Sequence, residues 1–321
     1  MDGNEKIEEL TIEQLQEQNE KLKKEVELQK INVEELSVTN QHLITATWRE
    51  RELKEELAET KELVEKQNKN ISESIDYSKK IQQAIIPTNE SIKANFSDSF
   101  IYYKPKDVVS GDFPWYFKKG DAVYFAAVDC TGHGVPGAML SIVGSLLLNN
   151  ILHTEQELGP AAILNQLHES VKTTLNQEEG SNSKDGMDIG LCKINLKTHE
   201  FQYAGAHRPC LIMQAGEFVE IKGSRLGIGG IRYKPGKVFT ETALQLAKGD
   251  SVYVFSDGLP DQMGVIEGEE EKLGMKPIRA LIKENHQEEM GKIRVKVNQL
   301  YSGWKKDFIQ LDDVLMIGVK V

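Results

Sequence analysis

Between Glu5 and Ile86 the chain has neither proline nor glycine, and Glu, Lys, Gln and Leu dominate. That composition specifies one long helix, because these residues lose little freedom in a helix and none interrupts its hydrogen-bond ladder. The apolar positions fit a heptad. Ile12, Asn19, Val26, Val33, Asn40 and Thr47 fall at a, and Leu15, Leu22, Gln29, Leu36 and Leu43 at d. Leucine at d with β-branched residues at a favours a parallel two-stranded coiled coil, and a buried asparagine fixes register at some cost in stability. The seam slips near Glu50 and resumes at Leu53, Leu57, Thr60, Val64, Gln67, Ile71, Ser74, Ser78, Ile81 and Ile85. A slip of this kind locally over- or underwinds a coiled coil. Residues 1–86 are therefore expected to form a dimerising helical arm, with a solvated single helix as the alternative. Pro87 ends the helix, since proline disfavours helical geometry in the residue before it.

The pattern then changes. Residues 87–106 read as a polar connection leading into a domain over 107–321. Phe100–Tyr103 alternates, and Ala122–Val128 is a short continuous apolar run of the kind found in strands buried on both faces. Further strands are predicted at Ile189–Ile194, Phe201–Ala204, Cys210–Gln214, Phe218–Ile221, Ser251–Phe255 and Val314–Val319. Helices are predicted at Gly137–Leu152, Pro160–Leu175, Lys276–Lys283 and Gln287–Trp304. Hairpin-like strands flanked by two helix pairs point to an α+β layered sandwich.

Bulk properties narrow the function classes. The net charge is −11, and there is no basic stripe of the sort that replaces phosphate counterions, which speaks against nucleic-acid binding. The three cysteines, Cys130, Cys192 and Cys210, form no CxxC pair, so neither a disulfide framework nor a zinc knuckle is expected, and reduced thiols in a cytoplasm fit better. The acidic opening MDGNEKIEEL is not a signal peptide. The longest apolar stretch, Ala138–Leu148, is interrupted by Ser and Gly and reads as a buried helix, short of the ~20 residues a membrane helix needs.

The strongest local signal is Val123-Tyr-Phe-Ala-Ala-Val-Asp129-Cys-Thr-Gly-His-Gly-Val-Pro-Gly-Ala138. An apolar strand runs into an aspartate, then a glycine-rich turn, then a helix. Gly132 and Gly134 open backbone conformations closed to other residues, and Pro136 suits a helix's first turn. The same grammar recurs at Ser256-Asp257-Gly258 after a strand, at Asp312-Asp313 before a strand, and at Gly111-Asp112 in a turn. Each aspartate alone is first of all a turn signal. Together, carboxylates gathered at the ends of core strands repel one another and need cations to be tolerated. Oxygen-only ligation of this type suits a hard divalent ion such as manganese or magnesium.

The ordered set of segments Ile81-Gln-Gln-Ala-Ile-Ile-Pro87, Val109-Ser-Gly-Asp-Phe113, Asp129–Ala138, Gly186-Met-Asp-Ile189, Tyr203-Ala-Gly-Ala-His-Arg-Pro209, Ser256-Asp-Gly258 and Asp312-Asp-Val314 resembles the SpoIIE-type branch of the metal-dependent (type 2C-like) serine/threonine protein phosphatases. The resemblance covers roughly Ile81 to Val321. It implies a layered α-β-β-α sandwich, two packed antiparallel sheets flanked by helices. It implies hydrolysis of phosphoserine or phosphothreonine on a protein, often a small antagonist of an anti-sigma factor, by a water activated between two Mn2+ or Mg2+ ions. It implies Asp129 as the carboxylate bridging both metals, the Cys130 backbone carbonyl beside it, Asp257 and Asp312 on the first metal, and Asp112 on the second, directly or through water. Pro114 after Gly-Asp-Phe and Leu259-Pro260 after Ser-Asp-Gly depart from the family's usual pattern.

Several nearby residues have two readings. Asp185 and Asp188, flanking Gly186-Met187, either support a third, weaker metal or bond to a turn. His133 is a general acid or a loop-shaping residue, and the second is favoured; His207 is expected to be structural at a strand exit. Arg208 and Arg225 are candidates for holding substrate phosphate, with surface salt bridging the blander reading. Asp313 is expected to point away from Asp312, because neighbouring strand residues face opposite sides. No GxSxG elbow supports a serine hydrolase, and histidine-kinase glycine boxes and cyclic-nucleotide base-recognition elements are missing. Two functions follow: a phosphatase switched by its helical arm in a homodimer, with an upstream signalling partner, or a non-catalytic coiled-coil adaptor on a degenerate phosphatase fold.

Overall fold

A computed structural model describes residues 11–96, 98–154, 157–177, 183–230, 238–266 and 268–321. The first residues of the glycine- and proline-free stretch, 5–10, lie outside the described residues. The chain divides into two compact units, residues 1–71 and 72–321. Helix α1 (Ile12–Ile85) is continuous, as the composition requires, and its last turns belong to the second unit. Within the first unit Leu15, Leu22, Val26, Val33, Leu36 and Leu43 are all exposed, so the predicted seam has no cover from the described residues of its own unit.

The second unit carries the last turns of α1, α2 (Asn89–Lys93), β1 (Ser99–Lys104), β2 (Phe113–Lys119), β3 (Ala122–Cys130), α3 (Gly134–Thr154), α4 (Pro160–Thr174), β4 (Gly186–Asn195), β5 (Glu200–Ala206), β6 (Cys210–Gln214), β7 (Glu217–Ile221), β8 (Ile228–Gly229), β9 (Thr242–Gln245), β10 (Ser251–Phe255), α5 (Gly258–Asp261), β11 (Met263–Ile266), β12 (Glu269–Lys272), α6 (Met275–Asn285), α7 (Met290–Lys305) and β13 (Val314–Lys320). One sheet runs β1-β13-β10-β6-β7 and the other β2-β3-β4-β5-β9, with β8 attached to β4; all these named strands pair antiparallel.

The two sheets pack face to face. Val123, Phe125, Cys192, Ile212, Val254 and Ile317 fill the space between them. The intervening residues of β3, Tyr124, Ala126 and Val128, turn to the other face and meet Leu148, Leu164 and Leu167 of α3 and α4. This double burial is why β3 reads as an unbroken apolar run. On the opposite side, Tyr253, Phe255 and Met316 pack on Ile282 of α6 and Ile293 of α7. The result is the α-β-β-α sandwich. Cys130, Cys192 and Cys210 are free thiols and buried.

Several elements depart from the sequence expectation. Phe113–Lys119, for which no strand was predicted, is strand β2 at the edge of its sheet. An edge tolerates proline, since one side of the strand needs no donor. Thr88–Ser99 contains the short helix α2, and β8, β9, β11 and β12 were not anticipated. The α3 helix is 21 residues long and apolar enough to cross a membrane by length and composition, but half of its apolar window is buried inside the domain. Near the end of α1 the inward residue is Gln82, which is 4% exposed, whereas the expected seam residue Ile81 is 43% exposed.

Candidate metal centre

The ends of strands from both sheets meet at one place. β3 delivers Asp129, and the register of β3 on β4 sets Asp188 directly opposite it. β10 ends at Phe255 and is followed by Ser256 and Asp257, the residue before α5. Asp312 and Asp313 lead into β13, and Asp112 leads into β2. All four aspartates expected from the sequence, Asp112, Asp129, Asp257 and Asp312, are thus gathered by the fold. The electrostatics link them: Asp112 feels the charges of Asp129, Asp313 and Asp312, and Asp312 feels that of Asp257.

The turn after Asp129 has the conformation its glycines permit, with φ of +81° at Gly132 and +64° at Gly134. Gly258 is required for a different reason. A Cβ there would sit 1.9 Å from the Asp313 carbonyl oxygen, so only glycine lets the Asp257 turn lie against the Asp312-Asp313 segment. Asp313 is buried and accepts hydrogen bonds from the amides of Lys106 (2.7 Å) and Gly111 (2.8 Å), fixing the loop that carries Asp112. Asp312 accepts from the Asp313 amide at 2.8 Å and is exposed. Asp313 thus braces the backbone, while Asp312 feels the charge of Asp257; both act on Asp112.

Asp112 is 3% exposed, and its Oδ2 has no hydrogen-bond partner. Burial and the charge of Asp129 push its carboxyl well above the usual carboxylate range, against a hydrogen bond from Ser256 that lowers it. Burial likewise raises Asp129, to about 7, with Arg208 opposing and Asp257 and Asp188 reinforcing the rise. Asp312 is raised by burial as well.

Arg208 is the residue that the sequence reading placed wrongly. It is not a surface ion pair. Its side chain is 14% exposed, and its Nη2 lies 3.0 Å from Asp129 Oδ2, 3.0 Å from Asp188 Oδ2 and 2.7 Å from Asp257 Oδ2. Burial acts to lower its pKa, but the three carboxylates together raise it. One cationic nitrogen therefore stands where oxygens from three separate elements converge. The signal lay in Gly205-Ala-His-Arg-Pro209 at the exit of β5. The register sets Ala206 opposite Ile189, and His207 turns the chain at φ +56°. His207 Nδ1 then meets Asp188 Oδ1 at 2.9 Å. His133 pairs with Asp107 at 2.8 Å on the loop surface. Asp185 meets Ser183 at 3.1 Å and Thr131 at 3.4 Å, within the turn.

The donor set fits a hard divalent cation. Its donors are carboxylate oxygens; one is buried with no hydrogen-bond partner among the described residues, and burial together with neighbouring carboxylates raises the pKa of Asp112 and Asp129. Among the described residues, no three side chains of the His, Cys, Asp or Glu type form a ready-made cage, and oxygens of Asp129, Asp188 and Asp257 converge on Arg208. The Cys130 thiol packs in the core against α3, so only its backbone faces the question of ligation.

The Stage II sporulation protein E (SpoIIE) family profile matches residues 119–321. The phosphoserine phosphatase RsbU of Bacillus subtilis (strain 168) is 23% identical over 194 residues, covering 60% of this chain and 54% of RsbU. The chain thus matches about half the length of that relative. The SiaA-PP2C domain of Pseudomonas aeruginosa is 26% identical, with a TM-score of 0.70 over 79% of this chain and 98% of that one. The PP2C phosphatase domain of SpoIIE from Bacillus subtilis, solved with a fragment of its regulatory domain, shares the fold, with a TM-score of 0.52, 18% identity and coverage of 70% and 61%.

Proposed function

The chain belongs to the SpoIIE family, and on that premise we propose that it is a metal-dependent protein phosphatase acting on phosphoserine or phosphothreonine. The observation that carries the reading is the convergence of Asp129, Asp188 and Asp257 on one cationic point beside the unpartnered Oδ2 of Asp112. Asp129, Asp112, Asp257 and Asp312, with the Cys130 carbonyl, would hold Mn2+ or Mg2+. When bound, two such ions supply a hydroxide near neutral pH and offset charge on the phosphoryl oxygens.

The chain's own residues do the positioning. Asp129 is held at the end of a strand otherwise buried throughout, so its carboxylate has little freedom. Asp313 holds the Asp112 loop, and Gly258 lets the Asp257 turn close on it. Arg208 offers positive charge to a phosphoryl group entering the cluster. The substrate is proposed to be a regulatory phosphoprotein, such as a small antagonist of an anti-sigma factor. Residues 1–86 are proposed as a dimeric regulatory arm and 107–321 as the catalytic region.

Hydrolysis of p-nitrophenyl phosphate with and without Mn2+ tests the assignment. Activity should require the metal, and Asp129→Asn should lower it by roughly 10²–10³-fold or more, as loss of a preorganised electrostatic group does. Full activity in Asp129→Asn would overturn the site.

A further inference from the structure

Beside the acid cluster lies an open groove of about 760 Å³. Asp188, His207, Thr131, Lys184 and Arg225 line it. Its floor is backbone: β8 pairs with the start of β4 through Ile228 and Met187, and Gly229 and Gly186. Gly227 keeps the floor low next to the cluster. A Cβ there would lie 3.4 Å from Asp188 Oδ1 and 3.6 Å from His207 Cε1. The groove therefore opens directly onto Asp188, which shares Arg208 with Asp129 and Asp257.

Lys184 and Arg225 are both exposed, and neither forms an ion pair or hydrogen bond with any described residue. In a chain with 50 acidic and 39 basic residues, two cations left without carboxylate partners at the mouth of an acid cluster run against the overall charge. A phosphorylated protein segment approaching that cluster meets a repulsive field, and cations along its path offset it and favour acidic approach.

We propose that this groove seats the phosphorylated segment of the substrate and that Arg225 and Lys184 read acidic side chains flanking the phosphorylated residue. The occupant is a phosphopeptide stretch, its backbone laid over the Gly227–Gly229 floor and its phosphate directed to the Asp188 end. This inference rests on the phosphatase reading above.

Two phosphoserine peptides, identical but for Glu or Gln beside the phosphoserine, test it on the full chain with Mn2+. Wild type should show kcat/KM higher by about tenfold for the Glu peptide at low salt, and the difference should shrink by about 0.5 M salt, where screening is short-ranged. Arg225→Ala with Lys184→Ala should abolish the preference, and Arg225→Glu with Lys184→Glu should transfer it to a Lys-flanked peptide. Absence of a preference in wild type, or its persistence in the double variants, overturns the groove. The same peptides, fluorescently labelled, are titrated into the Asp129→Asn chain and read by anisotropy. A Glu-over-Gln ratio in Kd that depends on Arg225 and Lys184, with no hydrolysis in wild type, keeps the groove and removes the phosphatase reading. Metal-dependent hydrolysis without flank discrimination does the reverse.

Discussion

At the scale of single residues, the centre is a problem of unbalanced charge. Arg208 faces Asp129, Asp188 and Asp257 at once, and Asp112 is buried with one oxygen unpartnered among the described residues. Asp129 illustrates the pH consequence. Its folded pKa is raised from 3.8 to about 7, so the ionised form is penalised in the fold. The penalty is absent below the unfolded value, grows as pH rises between them, and is complete above about 7. Without divalent ions the domain should therefore lose stability from pH 4 to pH 7.5, and Mn2+ should raise the melting temperature more at pH 7.5 than at pH 5, where protons compete for the same oxygens. Scanning fluorimetry at the two pH values checks this; equal metal shifts would contradict it. Arg208→Ala removes the remaining counter-charge. It should lower the metal-free melting temperature by several degrees, with Mn2+ restoring most of the loss, and it should weaken turnover of phosphorylated substrate. A melting temperature indifferent to Mn2+ in that variant would show that Arg208 and the metal do not share a site.

At the scale of elements, the end of α1 is tied to the Asp112 loop by one side chain. Gln82 Nε2 donates to the Ser110 carbonyl at 2.6 Å and to Ser141 Oγ on α3 at 2.9 Å, while its Oε1 accepts from the Ser110 amide at 3.2 Å. Ser110 is two residues from Asp112, so the helix end, the metal loop and α3 share one buried polar contact. Gln82→Ala leaves the Ser110 amide and carbonyl without that partner, at a cost of about 1–3 kcal/mol for each buried group left unpaired. Denaturant unfolding should show that loss, and the Mn2+ concentration for half-maximal activity should rise several-fold. An unchanged metal requirement would mean that the helix end does not help position Asp112. The heptad assignment missed Gln82 because it extended the seam through Ile81, a choice that only the domain's own packing overrules. Asp129 and Asp257 were legible because an apolar strand runs straight into each. Asp188 was legible only as one of two acids flanking Gly186-Met187; its place opposite Asp129 was not, since it depends on β4 pairing with β3 across α3 and α4, and strand order leaves no trace in local pattern. Arg208 was misjudged for the same reason: a charged residue after a strand reads as surface until the neighbouring strand ends are known. Strand β2 was hidden by Pro114, which is permitted only because the strand lies at an edge.

At the scale of the whole molecule, the open question is what covers the apolar seam of α1. Ile12, Leu15, Leu22, Val26, Val33, Leu36 and Leu43 are 47–77% exposed in one chain. Long polar helices persist chiefly through packing of an apolar face. The leucine and β-branched pattern favours a second copy as the partner proposed above, in parallel register with Asn19 and Asn40 facing their counterparts. Placing Glu at two d positions, Leu22→Glu with Leu36→Glu, introduces like charges at the seam without touching the 72–321 unit. Light scattering should then give a monomer where wild type gives a dimer. If the arm regulates, metal-stimulated phosphatase activity should change in this variant, and in a chain beginning near Ser72, relative to wild type at the same protomer concentration. A dimer lost with identical kinetics would retain the coiled coil as an assembly device and remove it as a switch. A dimer that survives both glutamates would place the contact elsewhere. Gln82 gives the regulatory outcome a physical route, because a change of pairing that reaches the last turns of α1 acts on a residue bonded to Ser110. Combining Gln82→Ala with the seam variant should then produce less than the sum of the two separate effects on activity, whereas additivity would mean the arm acts on the centre by some path that bypasses Gln82.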